Sequence, residues 1–320
     1  MGCHMEHKLI DTNNSRPRPR AWLFVTPWVI GLCVFTLYPF ASSLWYSFTD
    51  YSVLRAPEAI GGANYVELAG DPLFEIALKN TFLYAVMAIP SGFLIALGLA
   101  KALNANVGGT SICRAIVYLP HLIPTVVSSI LWMWMLNPDN GLISSVLRPF
   151  TDLIGWKLPS YMSDTRLLGL DFNNKQIIFG ALPSLVLMSL WGVGQMTIIY
   201  LAKLQDIPQD LYEAADLDGA GAWSVFWHIE LPQISPVVLF NVMMGVIWSF
   251  QVFVEPYIMT NGTGGPDNAT YMLPLFIYKH AFEYQRMGYA CASAWILFGL
   301  ISLLTVVAFR VGQKRVYYEA

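Results

Sequence analysis

The stretch Asp206-Ile207-Pro208-Gln209-Asp210-Leu211-Tyr212-Glu213-Ala214-Ala215-Asp216-Leu217-Asp218-Gly219-Ala220-Gly221, followed by Ile229-Glu230-Leu231-Pro232, decides how this chain is read. It is polar and acidic. It sits between two long runs, Gln176 to Ala202 and Leu231 to Val254, that contain no Asp, Glu, Lys or Arg. Asp206 offers an N-cap, Gln209 follows three residues later as in a capping box, and Pro208 is tolerated in a first helical turn. A helix is therefore expected through Glu213. It should stop near Gly219, where the backbone can turn left-handed. The small residues Ala214, Ala215, Gly219, Ala220 and Gly221 leave the backbone approachable. Such a short, bare helix is suited to seat in a groove on another protein.

Working outward, six uncharged stretches reach the length of about 20 residues that a spanning helix needs. They are Ala21 to Thr49, Thr81 to Ala100, Ala115 to Pro138, Gln176 to Ala202, Leu231 to Val254 and Met287 to Phe309. The whole chain of 320 residues is 56% hydrophobic and only 12% charged, with a net charge of -3. That balance excludes an ordinary soluble domain and gives no reason to expect a nucleic-acid partner. An all-α polytopic membrane protein with six transmembrane helices follows. The spans are expected at about 22–46, 81–102, 115–136, 177–202, 234–256 and 288–310. A polar tail (1–20) would precede this domain (21–312), the acidic segment would form a loop (203–233), and a second tail (313–320) would follow.

Arg16, Arg18, Arg20, Lys101, Arg114, Arg310, Lys314 and Arg315 then fall on one side, which the Lys/Arg bias marks as the cytoplasm, with both termini there. Segments near 50–80, 139–175 and 255–286 face outward. The four cysteines form no CxxC pair and the five histidines show no metal-ligand spacing, so no disulfide framework, metal site or catalytic residue is expected. No GxxxxGK[ST] phosphate loop occurs, so any ATP would be bound by another chain.

The run Glu213-Ala214-Ala215, Asp218-Gly219-Ala220, Phe226, Ile229, Leu231-Pro232 and Pro236 resembles the EAA loop of binding-protein-dependent ABC importer permeases. Other segments resemble the carbohydrate (maltose- and glycerol-phosphate-permease-like) branch. These are Gly62-Ala63-Asn64-Tyr65, Asp71 and Asn80-Thr81; Tyr118-Leu119-Pro120; Trp132, Trp134 and Asn137-Pro138; Gly264-Gly265-Pro266; and Gly288-Tyr289-Ala290. The resemblance spans about 20–315 and departs by an extra Gly-Thr between Asn261 and Gly264. It implies a type I importer bundle in the bacterial cytoplasmic (inner) membrane. Its partners would be a second, related permease, two ATP-binding cassette subunits holding ATP and Mg, and an extracytoplasmic solute-binding protein. Tyr212, Glu213, Ala214, Ala215, Asp218, Gly219, Ala220 and Gly221 would couple to the ATPase.

A solute pathway needs polar or aromatic groups facing the bundle interior, because polar groups facing lipid are costly. Ser189, Trp191, Gly192 and Gln195 in the fourth span are candidates. So are Asn241, Trp248, Ser249, Gln251 and Glu255 in the fifth, with Glu255 near the outer mouth. Trp191 with Gln195, and Trp248 with Gln251 and Glu255, have spacings that let each set share one helix face. An aromatic and amide set suits a carbohydrate. The plainer reading is that the amides only bridge helices and the tryptophans pack or anchor. The resemblance implies a sugar or oligosaccharide importer, with glycerol phosphate or a sugar acid as alternative solutes. A polytopic membrane enzyme would need a carboxylate cluster at a membrane face, and the one present coincides with the EAA run. An ion-coupled secondary transporter would need ionisable groups inside its spans.

Overall fold

The computed structural model describes residues 19–105, 109–159, 161–171, 176–314 and 316. Most of both tails, with Arg16, Arg18 and Arg315, lies outside the described residues. Among the described residues, four helices are long and apolar enough to cross a membrane: Phe24–Ser47, Pro72–Asn104, Ala222–Ser249 and Met287–Gln313. Two bent pairs, Thr110–Leu122 with Thr125–Met135 and Ala181–Trp191 with Gly194–Gln205, bring the number to six when each counts as one span.

The prolines explain much of the irregularity. In the first span a π-helical turn, Cys33–Leu37, precedes Pro39. A second π turn, Phe226–Glu230, precedes Pro232 in the fifth. Proline donates no amide hydrogen and its ring crowds the carbonyl four residues back, so the helix widens locally. The third span, expected at about 115–136, is not one continuous helix. It bends by 100° between Leu122 and Thr125. Ile123, before Pro124, is extended (φ -76°, ψ 127°), as a residue before proline prefers.

Three further boundaries differ from expectation. The second helix starts nine residues early, at Pro72, because Asp71 caps it by accepting from Leu73 N (2.8 Å) and Phe74 N (3.4 Å). At about 1.5 Å per residue its 33 residues exceed the bilayer core, so charged Glu75 and Lys79 clear it. The fourth span begins at Ala181 rather than 177, since Gln176–Phe179 is strand β4, paired antiparallel with β3 (Leu168–Asp171). The fifth helix begins at Ala222, inside the expected loop, and ends at Ser249. Besides β3–β4, strands β1 (Thr49–Ser52) and β2 (Arg55–Ala59) form another small hairpin.

The second span is central, packing against the fourth and fifth, while the sixth packs against the first and fifth. The first span is peripheral; Phe24 and Phe35 are 86% and 80% exposed. It meets the sixth through Phe40 and Trp295, whose rings lie 4.7 Å apart.

Several carbohydrate-branch residues that are scattered in sequence pack together at the end of the bundle opposite the acidic segment. Asn64 Nδ2 donates to Ser47 O (2.9 Å) and Thr49 O (3.0 Å). Tyr289 Oη donates to Asp71 Oδ2 (2.7 Å). Asn80 Nδ2 donates to Asn268 O (2.7 Å), and Thr81 Oγ1 accepts from Leu273 N (2.9 Å). Arg286 donates twice to Glu67 (2.8 and 2.6 Å), which holds that carboxyl below the usual range. Gly288 lets the sixth span press onto the end of the first: a Cβ there would collide with the Thr49 carbonyl. Gly288→Ala is expected to cost about 1–3 kcal/mol by overpacking, read as a lowered melting temperature of the detergent-purified protein.

Candidate functional site

The acidic segment folds into a helix, Gln209–Leu217, but its start differs from expectation. Asp206 has helical angles (φ -80°, ψ -10°) and closes the preceding helix, its N–H donating to Ala202 O (3.2 Å). Pro208 takes the cap position instead, without a side-chain hydrogen bond. Ile207 is buried in the core at this end of the bundle, which fixes the turn between the two helices.

The end matches expectation. Gly219 is left-handed (φ 69°); its N–H donates to Asp216 O (3.1 Å) and that of Ala220 to Ala215 O (2.9 Å). These paired bonds satisfy the last carbonyls of the helix in the Schellman arrangement. Tyr212 and Ala215 face inward, and burial pushes the Tyr212 phenol above its ordinary pKa. Glu213, Ala214, Asp218, Gly219 and Gly221 are exposed, while Ala220 is half-buried. Leu217 is 89% exposed and Trp223 is 73% exposed, an apolar pair on a polar end of the molecule.

The segment is tied to the bundle by charge. Lys101, at the end of the second span, pairs with Glu230 at 2.7 Å and lies 4.7 Å from the Phe226 ring centroid. Glu230 is only 7% exposed. Sequence reading missed this pair, because the partners lie far apart in the chain.

Above this end, the second, third, fourth and fifth spans and the segment after the fifth enclose a cavity of about 540 Å³. All nine pathway candidates line it: Ser189, Trp191, Gly192, Gln195, Asn241, Trp248, Ser249, Gln251 and Glu255. The sets Trp191 with Gln195, and Trp248 with Gln251 and Glu255, reach it by another route than a shared helix face. A 48° bend at Gly192–Val193 separates Trp191 from Gln195. The fifth helix stops before Gln251, and Glu255 belongs to a separate short helix, Val254–Met259. The breaks aim these side chains inward. Ser189 and Ser249 donate to Val186 O (2.7 Å) and Val246 O (3.1 Å), which leaves their oxygens as acceptors.

Tyr84, His121, Ser128 and Tyr200 also line the cavity. His121 and Ser128 flank the third-span break, whose signal in the sequence is the pair Pro120 and Pro124. Gly194 permits the helix before that break, Thr110–Tyr118, to touch the fourth span; a Cβ there would strike the Val117 carbonyl and lie 2.9 Å from Tyr118 Cα. Phe93, Val193 and Tyr200 line the cavity and also belong to, or pack on, the core that seats Tyr212 and Ile207. Cavity wall and exposed helix thus share one packed body.

Residues 88–316 match the family model of the binding-protein-dependent transport system inner membrane component. The chain belongs to this family. Its curated relatives include the probable ABC transporter permease protein YesP of Bacillus subtilis (strain 168), 35% identical, covering 93% of this chain and 92% of the relative. The lactose transport system permease protein LacF of Rhizobium radiobacter is 32% identical, covering 92% and 94%. The sn-glycerol-3-phosphate transport system permease protein UgpA of Salmonella typhimurium (strain LT2) is 29% identical, covering 96% and 100%. Among solved structures, a chain of a bacterial alginate ABC transporter in complex with alginate pentasaccharide-bound periplasmic protein shares the fold. Its TM-score is 0.76 at 22% identity, covering 92% of this chain and 95% of that one. The protein is accordingly a multi-pass membrane transport subunit of the ABC importer type.

Proposed function

We propose that this permease forms half of the pathway of an ATP-driven importer for an uncharged sugar or oligosaccharide. The observation that carries this reading is the cavity wall. It combines Trp191 and Trp248 with the amides of Gln195, Asn241 and Gln251 and the hydroxyls of Tyr84, Ser128 and Ser189. A mostly apolar, aromatic wall with a few placed polar groups is the usual form of a small-ligand site. Among the described lining residues there is no Lys or Arg, and the one carboxylate is Glu255. A phosphate or uronate would meet no ammonium or guanidinium on this wall, only the imidazole of His121, which favours a neutral solute over glycerol phosphate or a sugar acid. The names of relatives such as the lactose permease support the carbohydrate class.

The remaining subunits are a second, related permease, two ATP-binding cassette subunits that hold ATP and Mg, and an extracytoplasmic solute-binding protein. The structural neighbour in complex with a periplasmic protein supports the last. Both termini lie in the cytoplasm. ATP binding draws the ATPases together, the helix Gln209–Leu217 moves with them, and the cavity opens outward to receive solute. Hydrolysis resets it.

The test begins by identifying the saccharide that raises the melting temperature of the solute-binding protein. Uptake of that saccharide is then compared between wild type and Trp248→Ala. Loss of one stacking surface, worth about 1.4 kcal/mol, is expected to weaken apparent affinity about tenfold. Unchanged uptake kinetics would remove Trp248 from the pathway.

A further inference from the structure

After the third span the chain turns sharply and enters a helix, Leu142–Ile154, outside the bundle. The turn is tightly fixed. Asn137 O accepts from Gly141 N (2.9 Å) and Ser144 Oγ (2.8 Å), and Asn137 Oδ1 accepts from Asp139 N (2.9 Å) and Asn140 N (3.0 Å). Arg148 Nη2 donates to Asp139 O (2.9 Å). The helix is inverted relative to one on a soluble surface. Its buried residues are Ser144 and Thr151, with hydroxyls tied to Asn137 O and Arg148 O. Ile143 packs on the core and Leu147 is half-buried, but four apolar residues point away from the protein: Val146, Phe150, Leu153 and Ile154 are 59%, 65%, 85% and 58% exposed. Steps of four, three and one residue place them on a single stripe.

We infer that this helix lies in the outer lipid–water interface of the membrane, with its apolar stripe sunk into the acyl boundary. Continuity decides the occupant. The stripe follows directly from an exposed apolar face on the third span, where Val126, Val127, Ile130 and Trp134 are 47%, 47%, 55% and 58% exposed. Trp134 stands at the junction, where amphipathic aromatics sit at the headgroup level. Arg148 and Asp152, both exposed, remain for the polar side. A helix with separated apolar and charged faces at the membrane edge lies in the interface plane. It anchors the outer half of the broken third span, Thr125–Met135, which brings Thr125 and Ser128 to the cavity. The inference depends only on membrane embedding and stands whichever solute is carried.

The test uses the assembled transporter in lipid nanodiscs, with its native cysteines replaced by serine. Single cysteines at Val146→Cys, Arg148→Cys, Phe150→Cys, Asp152→Cys and Leu153→Cys carry a spin label. Accessibility to oxygen, which concentrates in lipid, is compared with that to a water-soluble nickel chelate. Labels at 146, 150 and 153 are expected to favour oxygen, and those at 148 and 152 nickel. Apolar-stripe labels that are immobilised and shielded from both reagents would show a protein partner instead. Labels open to nickel would show a helix standing in water. Either result overturns the proposal. Three positions share the stripe, so loss of one variant leaves the test intact.

Discussion

Gly219→Asp is expected to abolish ATP-driven uptake while leaving the protein in the membrane. Gly219 is left-handed at φ 69°, and no heavy atom lies within 4 Å of where its Cβ would project. The substitution therefore causes no clash inside the fold. Its conformational cost is about 1–2 kcal/mol, near the lower end for Asp, which tolerates this region better than most residues. The larger effect is on the exposed surface: a new carboxylate on a face already carrying Asp216 and Asp218 must be desolvated when the helix enters a groove. Uptake should fall to background, with ATP hydrolysis no longer stimulated by the loaded binding protein. Gly219→Asn, which keeps the left-handed turn without the charge, should retain a substantial part of the activity. Equal loss in both variants would point to backbone conformation rather than docking.

Lys101→Ala should have the second largest effect. Glu230 is 7% exposed, and Lys101 supplies its one ion-pair contact among the described residues, at 2.7 Å. Removing the lysine leaves a buried carboxylate uncompensated, a penalty of about 1–3 kcal/mol. It also loosens the join between the exposed helix and the second span. The double variant Lys101→Ala with Glu230→Gln removes the stranded charge, and it should recover both melting temperature and uptake relative to Lys101→Ala. Recovery of melting temperature alone would assign the pair to stability and not to coupling.

These two sites show what could be read from the sequence and what could not. Gly219 was legible because helix termination is local: a glycine after a periodic run has one common meaning. The six spans were legible because a bilayer excludes charge over about 20 residues, and that leaves clear gaps. The cavity residues were legible by type, since polar groups within apolar runs need an interior to face. Their geometry was not. Trp191 and Gln195 fit one straight helix by spacing, but a break lies between them, and hydropathy is blind to bends. Pro120 and Pro124 carried that signal for the third span. Pro208 overrode Asp206 in the same way, because the buried Ile207 fixes where the turn occurs. The Lys101–Glu230 pair and the cap built on Asn64, Asp71 and Tyr289 depend on contacts between distant segments, and no local pattern reports them.

The most direct measurement is a cross-link from the exposed tip of the Gln209–Leu217 helix. Leu217 is 89% exposed, so a photoreactive benzoylphenylalanine replacing it leaves the fold untouched. Irradiating the transport-competent complex in membranes should join this chain to an ATP-binding subunit, and Glu213→Lys should weaken the adduct. A complex that imports solute yet gives no adduct with an ATP-binding subunit would contradict coupling through this helix.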